Sequence, residues 1–217
     1  MNQTAFTKTK KFLRGKVDVS YRDFQFLKYL PVRRFSVSEY HKMGEEGILS
    51  EDEHIELIEG VILQMSTEGT KHSAIITKIA MRFYESVIEG KALLRIQNPV
   101  VLNDDTEPEP DLALVKPRVD VYAEEHPHPD DVLLLIEVTD TSLEYDKEIK
   151  LPRYAASKIE EVWIVNLVDD VIAVYQKPFV LADGTAGYRI RTNFVRGDTL
   201  NPQAIPSLKI RVDDVLV

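Results

Sequence analysis

Hydrophobic and polar positions follow two different periods along the chain from about residue 34 onward. Apolar and polar side chains alternate over residues 54–65 and the pattern breaks at Gly60, which is typical of a β-hairpin with a tight turn. Residues 70–88 instead carry an apolar side chain at every fourth position, and this period predicts an amphipathic helix that ends at Gly90. A shorter helix, capped by serine and closed by glycine, is predicted within residues 36–47.

The middle of the chain predicts further strands around one more helix. Residues 92–102 and 111–116 have the composition of two strands separated by a polar, proline-marked turn. The apolar run 132–138 is typical of a strand that is buried on both faces. A helix to about Ser157 and a strand at 161–167 follow. Strand, helix and strand make a βαβ unit, whose two strands should be parallel with a right-handed crossover.

The C-terminal part predicts a strand at 171–176, a hairpin around residues 184–187 and a last strand near 208–212. No internal repeat and no linker divides the body of the chain. We therefore expect one α/β domain with a mixed sheet over residues 34–217, preceded by an N-terminal extension over residues 1–33.

Charge is distributed unevenly between these two parts. The whole chain has a formal net charge of −9, which argues against a protein that simply coats nucleic acid. Residues 1–34 nevertheless hold nine lysines and arginines against two aspartates. This basic segment is either a solvated extension or an arm that contacts phosphates, and the sequence favours the first.

Composition also excludes several kinds of site. The chain has no cysteine, which removes disulfides, thiolate metal sites and cysteine nucleophiles. It has no glycine-rich phosphate loop, no GxSxG motif and no HExxH motif. No stretch approaches the roughly 18 apolar residues that would span a membrane, and the N-terminus lacks the apolar core of a secretory signal, so we expect a cytoplasmic protein.

Carboxylates remain as the candidate chemistry. Asp111 follows Pro110 at the start of a predicted strand, and Glu137 follows the apolar run at 132–136. A carboxylate buried at the end of such a strand is costly unless it is paired or bound to a cation. Two converging carboxylates without cysteine favour Mg²⁺ or Mn²⁺, the usual ions of phosphoryl transfer.

Lys150 completes this candidate set from the helix that follows Glu137. It lies four residues after Asp146 and four before Tyr154, so the three side chains can share one helix face. An ammonium near the metal could orient water or stabilise a pentacovalent phosphate. Pro152 lies two residues further on and should kink the helix.

Several spaced motifs lie along about residues 34–217: His72 at a helix start, Pro110-Asp111, and two long strings. The strings are RFSVSEYHKMGEEGILSEDEHIELIEGVILQM and LLLIEVTDTSLEYDKEIKLPRYAASKIEEVWIVN. Together these motifs resemble the Uma2 family of restriction-endonuclease-like proteins, which is abundant in cyanobacteria.

The resemblance implies a restriction-endonuclease-like core of the PD-(D/E)xK type, with flanking helices and N-terminal and C-terminal β-hairpins. It implies that Asp111 and Glu137 are metal ligands and that Lys150 is the catalytic lysine, moved onto the helix. Glu56 corresponds to the family's N-terminal glutamate and His72 to its histidine. Thr139 stands where the parent motif has lysine.

Each of these residues also has a purely structural interpretation. Asp111 could satisfy a turn, Lys150 could be an exposed lysine paired with an aspartate, and Glu56 could lie on the solvent face of its strand. His72 could simply begin a helix. His126 and His128 have ligand spacing, but they sit in a proline-rich acidic loop without nearby partners in the sequence, and we assign them no metal role. Trp163 is expected in the core.

Two hypotheses about function follow. The first is a Mg²⁺-dependent endonuclease that hydrolyses DNA phosphodiester bonds. In it, Asp111 and Glu137 bind the metal. Lys150 positions water or stabilises charge, and Glu56 assists as a further catalytic residue. The second is a catalytically inactive module of the same fold that serves self-association or nucleic-acid binding, since fold does not fix function. A homodimer is expected only by analogy with enzymes of this fold that cut two strands.

Overall fold

A six-stranded mixed sheet forms the centre of the protein in the computed structural model, which describes residues 30–50, 52–65 and 69–217. The predicted basic extension therefore lies, up to residue 29, outside the described residues. The six strands lie side by side in chain order: β3 (Leu93–Ile96), β4 (Leu112–Val115), β5 (Val132–Thr139), β6 (Glu161–Asn166), β7 (Val171–Val180) and β8 (Ala186–Phe194). Only β5 and β6 are parallel within this sheet, as the βαβ pattern predicts.

Two small hairpin-like sheets flank the central one. They are formed by β1 (Ile55–Ile58) with β2 (Val61–Gln64), and by β9 (Thr199–Leu200) with β10 (Ile210–Arg211). The described residues form the helices α1 (Val37–Glu45), α2 (Thr70–Ile88), α3 (Leu143–Tyr145), α4 (Leu151–Ala156) and α5 (Val212–Val215), with a 3₁₀ turn at Pro129–Asp131. Within the described ranges, none of the helices combines the length and apolar character that crossing a bilayer requires.

Local sequence explains the elements that the pattern predicts well. Ser36 caps the N-terminus of helix α1. Its hydroxyl accepts from Glu39 N while the Glu39 carboxylate accepts from Ser36 N, a reciprocal capping box. The β1–β2 turn places Glu59 and Gly60 at φ values of 47° and 74°, the left-handed pair that a two-residue hairpin needs. Gly60 also lies so close to the preceding segment that a Cβ there would sit 2.5 Å from Arg34 Cβ.

Apolar side chains cover both faces of the central sheet. Helix α2 packs on one face, where Ile79 and Phe83 join buried side chains of β4, β5 and β6. Helix α4 packs on the other, where Tyr154 is fully buried. Trp163 lies in the first of these cores and is 1% exposed, which confirms the prediction for it.

Two predicted strands are shorter in the structure than the sequence indicates. The strand predicted at 92–102 ends at Ile96, because Gln97 has a left-handed φ of 50° and the next backbone groups bond to the local turn, for example Leu102 N to Thr106 O. The C-terminal strand predicted near 208–212 is limited to Ile210–Arg211, and helix α5 takes over at Val212.

Helices α3 and α4 are joined without a break by a π-helical turn, Asp146–Lys150. The amide of Leu151 donates to Asp146 O, five residues back, so the turn holds one residue more than an α-helical turn. Pro152 follows Leu151 at the start of α4, and it has no N–H to donate to the preceding turn of this continuous helix. The irregularity that proline predicts is therefore a π-turn on the N-terminal side of the proline.

Candidate active site

Two neighbouring strands place Asp111 beside Glu137. Leu112 pairs with Ile136 in antiparallel register, so the residue before Leu112 lies next to the residue after Ile136. The Asp111 amide lies 3.4 Å from Glu137 Oε2, and Asp111 Oδ2 accepts from Val138 N at 2.7 Å. The two predicted metal ligands therefore lie together, and Glu137 points to the sheet face that α4 covers, where Tyr154 contacts it.

Lys150 reaches the same point from the π-helical turn. Its ammonium lies 3.3 Å from Glu137 Oε1 and 3.3 Å from Glu56 Oε2, and it donates to Glu109 O at 3.2 Å. The side chain is only 5% exposed. Its interpretation as an ordinary exposed helix lysine is therefore wrong.

Glu56 enters the cluster from β1 and is 1% exposed, so it does not lie on a solvent face. Its Oε2 accepts from Glu109 N at 3.0 Å, and its Oε1 accepts a short hydrogen bond from the Tyr145 hydroxyl. These contacts join the N-terminal hairpin to the central sheet and to the helix that carries Lys150.

His72, at the start of α2, forms the more open side of the cluster. Its Nε2 lies 3.1 Å from Asp111 Oδ2, and the two side chains are 11% and 14% exposed. Glu56, Glu137 and Lys150 are each 5% exposed or less. A substrate would therefore reach the cluster from the side of Asp111 and His72.

Three residues of the cluster were not predicted as site residues. Tyr154 donates to Glu137 Oε1 at 2.6 Å, and Asp146 is buried and accepts from Ser142 Oγ at 2.9 Å. The spacing of four that relates both residues to Lys150 was the available signal. Tyr145 gave none, because its partner Glu56 lies 89 positions away in the sequence.

Buried negative charge dominates the electrostatics here. Four carboxylates, those of Glu56, Asp111, Glu137 and Asp146, surround the single ammonium of Lys150 and leave a formal excess of three negative charges. Burial raises the pKa of Glu137 to about 8, opposed by Lys150 and reinforced by Asp146 and Asp111. Burial likewise raises the pKa of Asp146 to about 7.

Burial has the opposite effect on the pKa of Lys150. Burial alone would lower the pKa of its ammonium, but the charges of Glu137, Glu56 and Asp146 outweigh that and raise it well above its ordinary value. Lys150 therefore stays charged, while the carboxyls of Glu137 and Asp146 keep their protons to a higher pH than usual. A divalent cation would replace those protons, and the oxygen donors of Asp111 and Glu137 fit Mg²⁺ or Mn²⁺ in kind.

A second group of polar side chains lies outside this cluster and corrects one expectation. His126 is not without partners. Its Nδ1 accepts from Arg95 at 3.2 Å, and its ring lies 5.9 Å from that of His41, edge to face. The partners come from residues 31 and 85 positions away in the sequence, so local composition could not indicate them.

Comparison with known proteins agrees with this architecture. The family model Uma2, described as "Putative restriction endonuclease", matches residues 37–213. A search of curated proteins gave no match. The fold is similar to a crystal structure described as "a putative nuclease belonging to DUF820" from Anabaena variabilis ATCC 29413. The TM-score is 0.63 at 17% identity, over 83% of this chain and 97% of that one. Because the family match takes in almost the whole described fold, the chain belongs to the Uma2 family.

Proposed function

We propose that this protein is a divalent-metal-dependent nuclease that hydrolyses phosphodiester bonds of DNA. The observation that carries the proposal is the buried cluster in which four carboxylates surround one lysine. A fold gains no stability from excess buried negative charge, because each uncompensated charge is costly to desolvate. A bound cation would compensate this negative charge, and a metal site therefore explains the arrangement.

Asp111 and Glu137 would hold the ion. Glu137 Oε1 is held by Tyr154 and Lys150, whereas Oε2 lies toward Asp111. Mg²⁺ or Mn²⁺ bound there would neutralise charge on the scissile phosphate and lower the pKa of an attacking water. Hydrogen bonds behind Glu137 fix the direction of its carboxylate, as is usual for metal-binding side chains.

Lys150 supplies a fixed positive charge next to the ligand carboxylates. Buried between Glu56 and Glu137, it can stabilise negative charge that develops on phosphate oxygens without reorganising. Glu56 is a positioning residue, because it contacts Lys150 and Tyr145. His72 lies against Asp111 on the open side, where it can hold that ligand or meet a substrate phosphate.

The net negative charge of the protein implies that the metal also promotes DNA binding. With a net charge of −9, the protein repels polyanions over much of its surface. Affinity for DNA should therefore depend on the ion, and chelation should abolish binding as well as hydrolysis.

The test is hydrolysis of supercoiled plasmid and of single-stranded and duplex oligonucleotides with Mg²⁺, Mn²⁺ or chelator. The wild type is compared with Asp111→Ala and with a control, Asp130→Ala, in which an exposed aspartate outside the cluster is removed. Metal-dependent cleavage that Asp111→Ala loses and Asp130→Ala keeps supports the proposal. Cleavage that survives Asp111→Ala contradicts it. Absence of cleavage by the wild type on every substrate would favour the inactive module.

A further inference from the structure

A second set of metal-ligating side chains lies at the other end of the short segment that carries Asp111. His41 of α1, Glu107 and His126 each offer one ligand atom, and these atoms all lie within 4.8 Å of one another. His41 Nε2 lies 2.9 and 2.8 Å from the two oxygens of Glu107. No residue of this set belongs to the carboxylate cluster described above.

Glu107 is the most deeply buried member, with a side chain only 2% exposed. Among the described residues, His41 is the one side chain that hydrogen-bonds to it. Because a buried carboxylate is costly unless it is well compensated, a single half-exposed imidazole is weak support. This carboxylate has the burial and the geometry of a group that binds a cation.

His126 presents an unprotonated ring nitrogen, because its Nδ1 accepts a hydrogen bond from the Arg95 guanidinium at 3.2 Å. Burial lowers the pKa of His126, opposed by the charge of Glu107 and reinforced by that of Arg95. A neutral imidazole keeps a lone pair for a metal. Arg95 now donates to Nδ1 at 3.2 Å, and it also donates to Asn98 Oδ1 and lies over the ring of Tyr122. It can therefore leave His126 without losing all its partners.

We propose that His41, Glu107 and His126 form a second metal site, which takes Zn²⁺ or a similar transition-metal ion. Two imidazoles and one carboxylate are a donor set that zinc favours, unlike the oxygen donors around Asp111. The ion takes the place of the proton between His41 and Glu107. Ligand bonds of about 2.0–2.2 Å put any two donors at most about 4.4 Å apart, so the three atoms, which already lie within 4.8 Å of one another, need only a small shift.

A cavity adjoins the two histidines and would receive the fourth coordination position of the ion. His41 and His126 line a space of about 370 Å³ with Tyr122, Glu124 and His128. Three protein ligands with one position open to a cavity is the arrangement of zinc sites that bind water or substrate. The acidic wall supplied by Glu124 and Glu125 favours a cation there.

Backbone contacts couple this site to the first one. Glu107 exchanges two hydrogen bonds with Leu57, the residue after Glu56, and Glu109 N donates to Glu56 Oε2. The chain then reaches Asp111 four residues after Glu107. An ion bound at Glu107 would thus fix α1 and the loop of His126 onto the segment that presents Asp111.

Cobalt titration of chelator-stripped full-length protein tests the proposal. Co²⁺ with four nitrogen and oxygen ligands absorbs strongly in the visible region, whereas Co²⁺ held by six oxygens absorbs weakly, so the spectrum separates the two sites. We expect His41→Ala and His126→Ala each to lose the strong band and to lower Zn²⁺ affinity by more than about 100-fold. His54→Ala, which removes an exposed histidine outside both clusters, should keep both properties. Asp111→Ala should also keep the band.

Thermal unfolding provides the second measurement, because a variant with impaired folding could lose the band for another reason. Zn²⁺ at about 100 times its Kd should raise the Tm of wild type and of His54→Ala by about 5–10 °C, and leave His41→Ala and His126→Ala unchanged. The proposal is overturned if the wild type lacks the strong band, if either histidine variant keeps it, or if Asp111→Ala loses it. None of these outcomes depends on nuclease activity, so the second metal site and the proposed nuclease function are tested independently.

Discussion

Tyr154 donates its hydroxyl to Glu137 Oε1 at 2.6 Å, and that same oxygen faces the ammonium of Lys150 at 3.3 Å. Burial, and then the charge of Glu137, raise the pKa of Tyr154 well above its usual range, so its hydroxyl stays a donor. One oxygen of Glu137 is thus held from behind by two donors. The other, Oε2, is turned toward Asp111.

Removing that hydroxyl tests whether it orients a metal ligand. Tyr154→Phe should weaken Mn²⁺ binding about 10-fold, because Glu137 loses one of the contacts that fix its carboxylate. Titration calorimetry measures the change. Tyr188→Phe is the matched control, since the Tyr188 hydroxyl donates to Ile159 O away from the cluster. Equal Mn²⁺ affinity in Tyr154→Phe and wild type would show that the hydroxyl only stabilises the fold.

Much of the fold could be predicted because its signals are local. The capping box at Ser36, the turn at Gly60 and the period of α2 each depend on residues within one or two turns of chain. The strand predicted at 92–102 was too long because a left-handed residue, Gln97, carries no marker in composition. Pairing with the neighbouring strand determines where such a strand ends, and the pattern of a single sequence does not show that pairing.

The candidate functional residues likewise include some that could be predicted and some that could not. Asp111, Glu137 and Lys150 could be predicted from the strand–helix pattern and from the family resemblance, and the structure brings them together with Glu56. Their roles stay predictions. The histidine pair formed by His41 and His126 could not be predicted, because α1 and the loop meet only through tertiary packing.

The raised pKa of Glu137 makes metal-free stability depend on pH. A carboxyl whose pKa rises on folding, from 4.5 to about 8 here, stabilises the fold below its unfolded value and loses that contribution as the pH rises through about 8. Glu137→Gln cannot titrate. As the pH rises from about 6 to 8.5, the free energy of unfolding of wild type should fall. That of Glu137→Gln should fall by on the order of 2 kcal/mol less.

Urea denaturation in the presence of chelator measures this difference at each pH. Glu144→Gln, which changes an exposed glutamate on α3, is the control and should follow the wild-type profile. Parallel profiles for Glu137→Gln and wild type would mean that the Glu137 carboxyl titrates near its ordinary value.

Loss of the Lys150 charge should be costly for a different reason. Lys150→Met leaves Glu56 and Glu137 without the ammonium that lies 3.3 Å from each of them. We expect the free energy of unfolding to fall by about 3–5 kcal/mol at pH 8, and by less at lower pH, where Glu137 takes up a proton. Lys209→Met removes an exposed lysine and should change stability by no more than about 0.5 kcal/mol. A Lys150→Met protein as stable as wild type would contradict a role as counter-ion.

The turn at Gly60 should tolerate no side chain. Gly60→Ala adds a methyl group 2.5 Å from Arg34 Cβ and 3.0 Å from the Phe35 backbone, at a φ of 74°. Gly184→Ala is the control. It introduces backbone strain without a steric clash, since its φ is 86° and nothing lies within 4 Å of the added atom. We expect Gly184→Ala to cost about 1–2 kcal/mol and Gly60→Ala at least about 2 kcal/mol more. Thermal and urea unfolding compare them, and equal losses would show that Arg34 and Phe35 move aside freely.

The π-helical turn at Asp146–Lys150 has a consequence for sequence alignment across relatives. A π-turn behaves as an α-helix with one inserted residue, so a relative with a regular helix needs a one-residue gap before Leu151. Without that gap, the residue aligned with Lys150 would point about 100° away around the helix. A motif that fixes the number of residues between the strand glutamate and the helix lysine would therefore discard members whose side chains still meet in space.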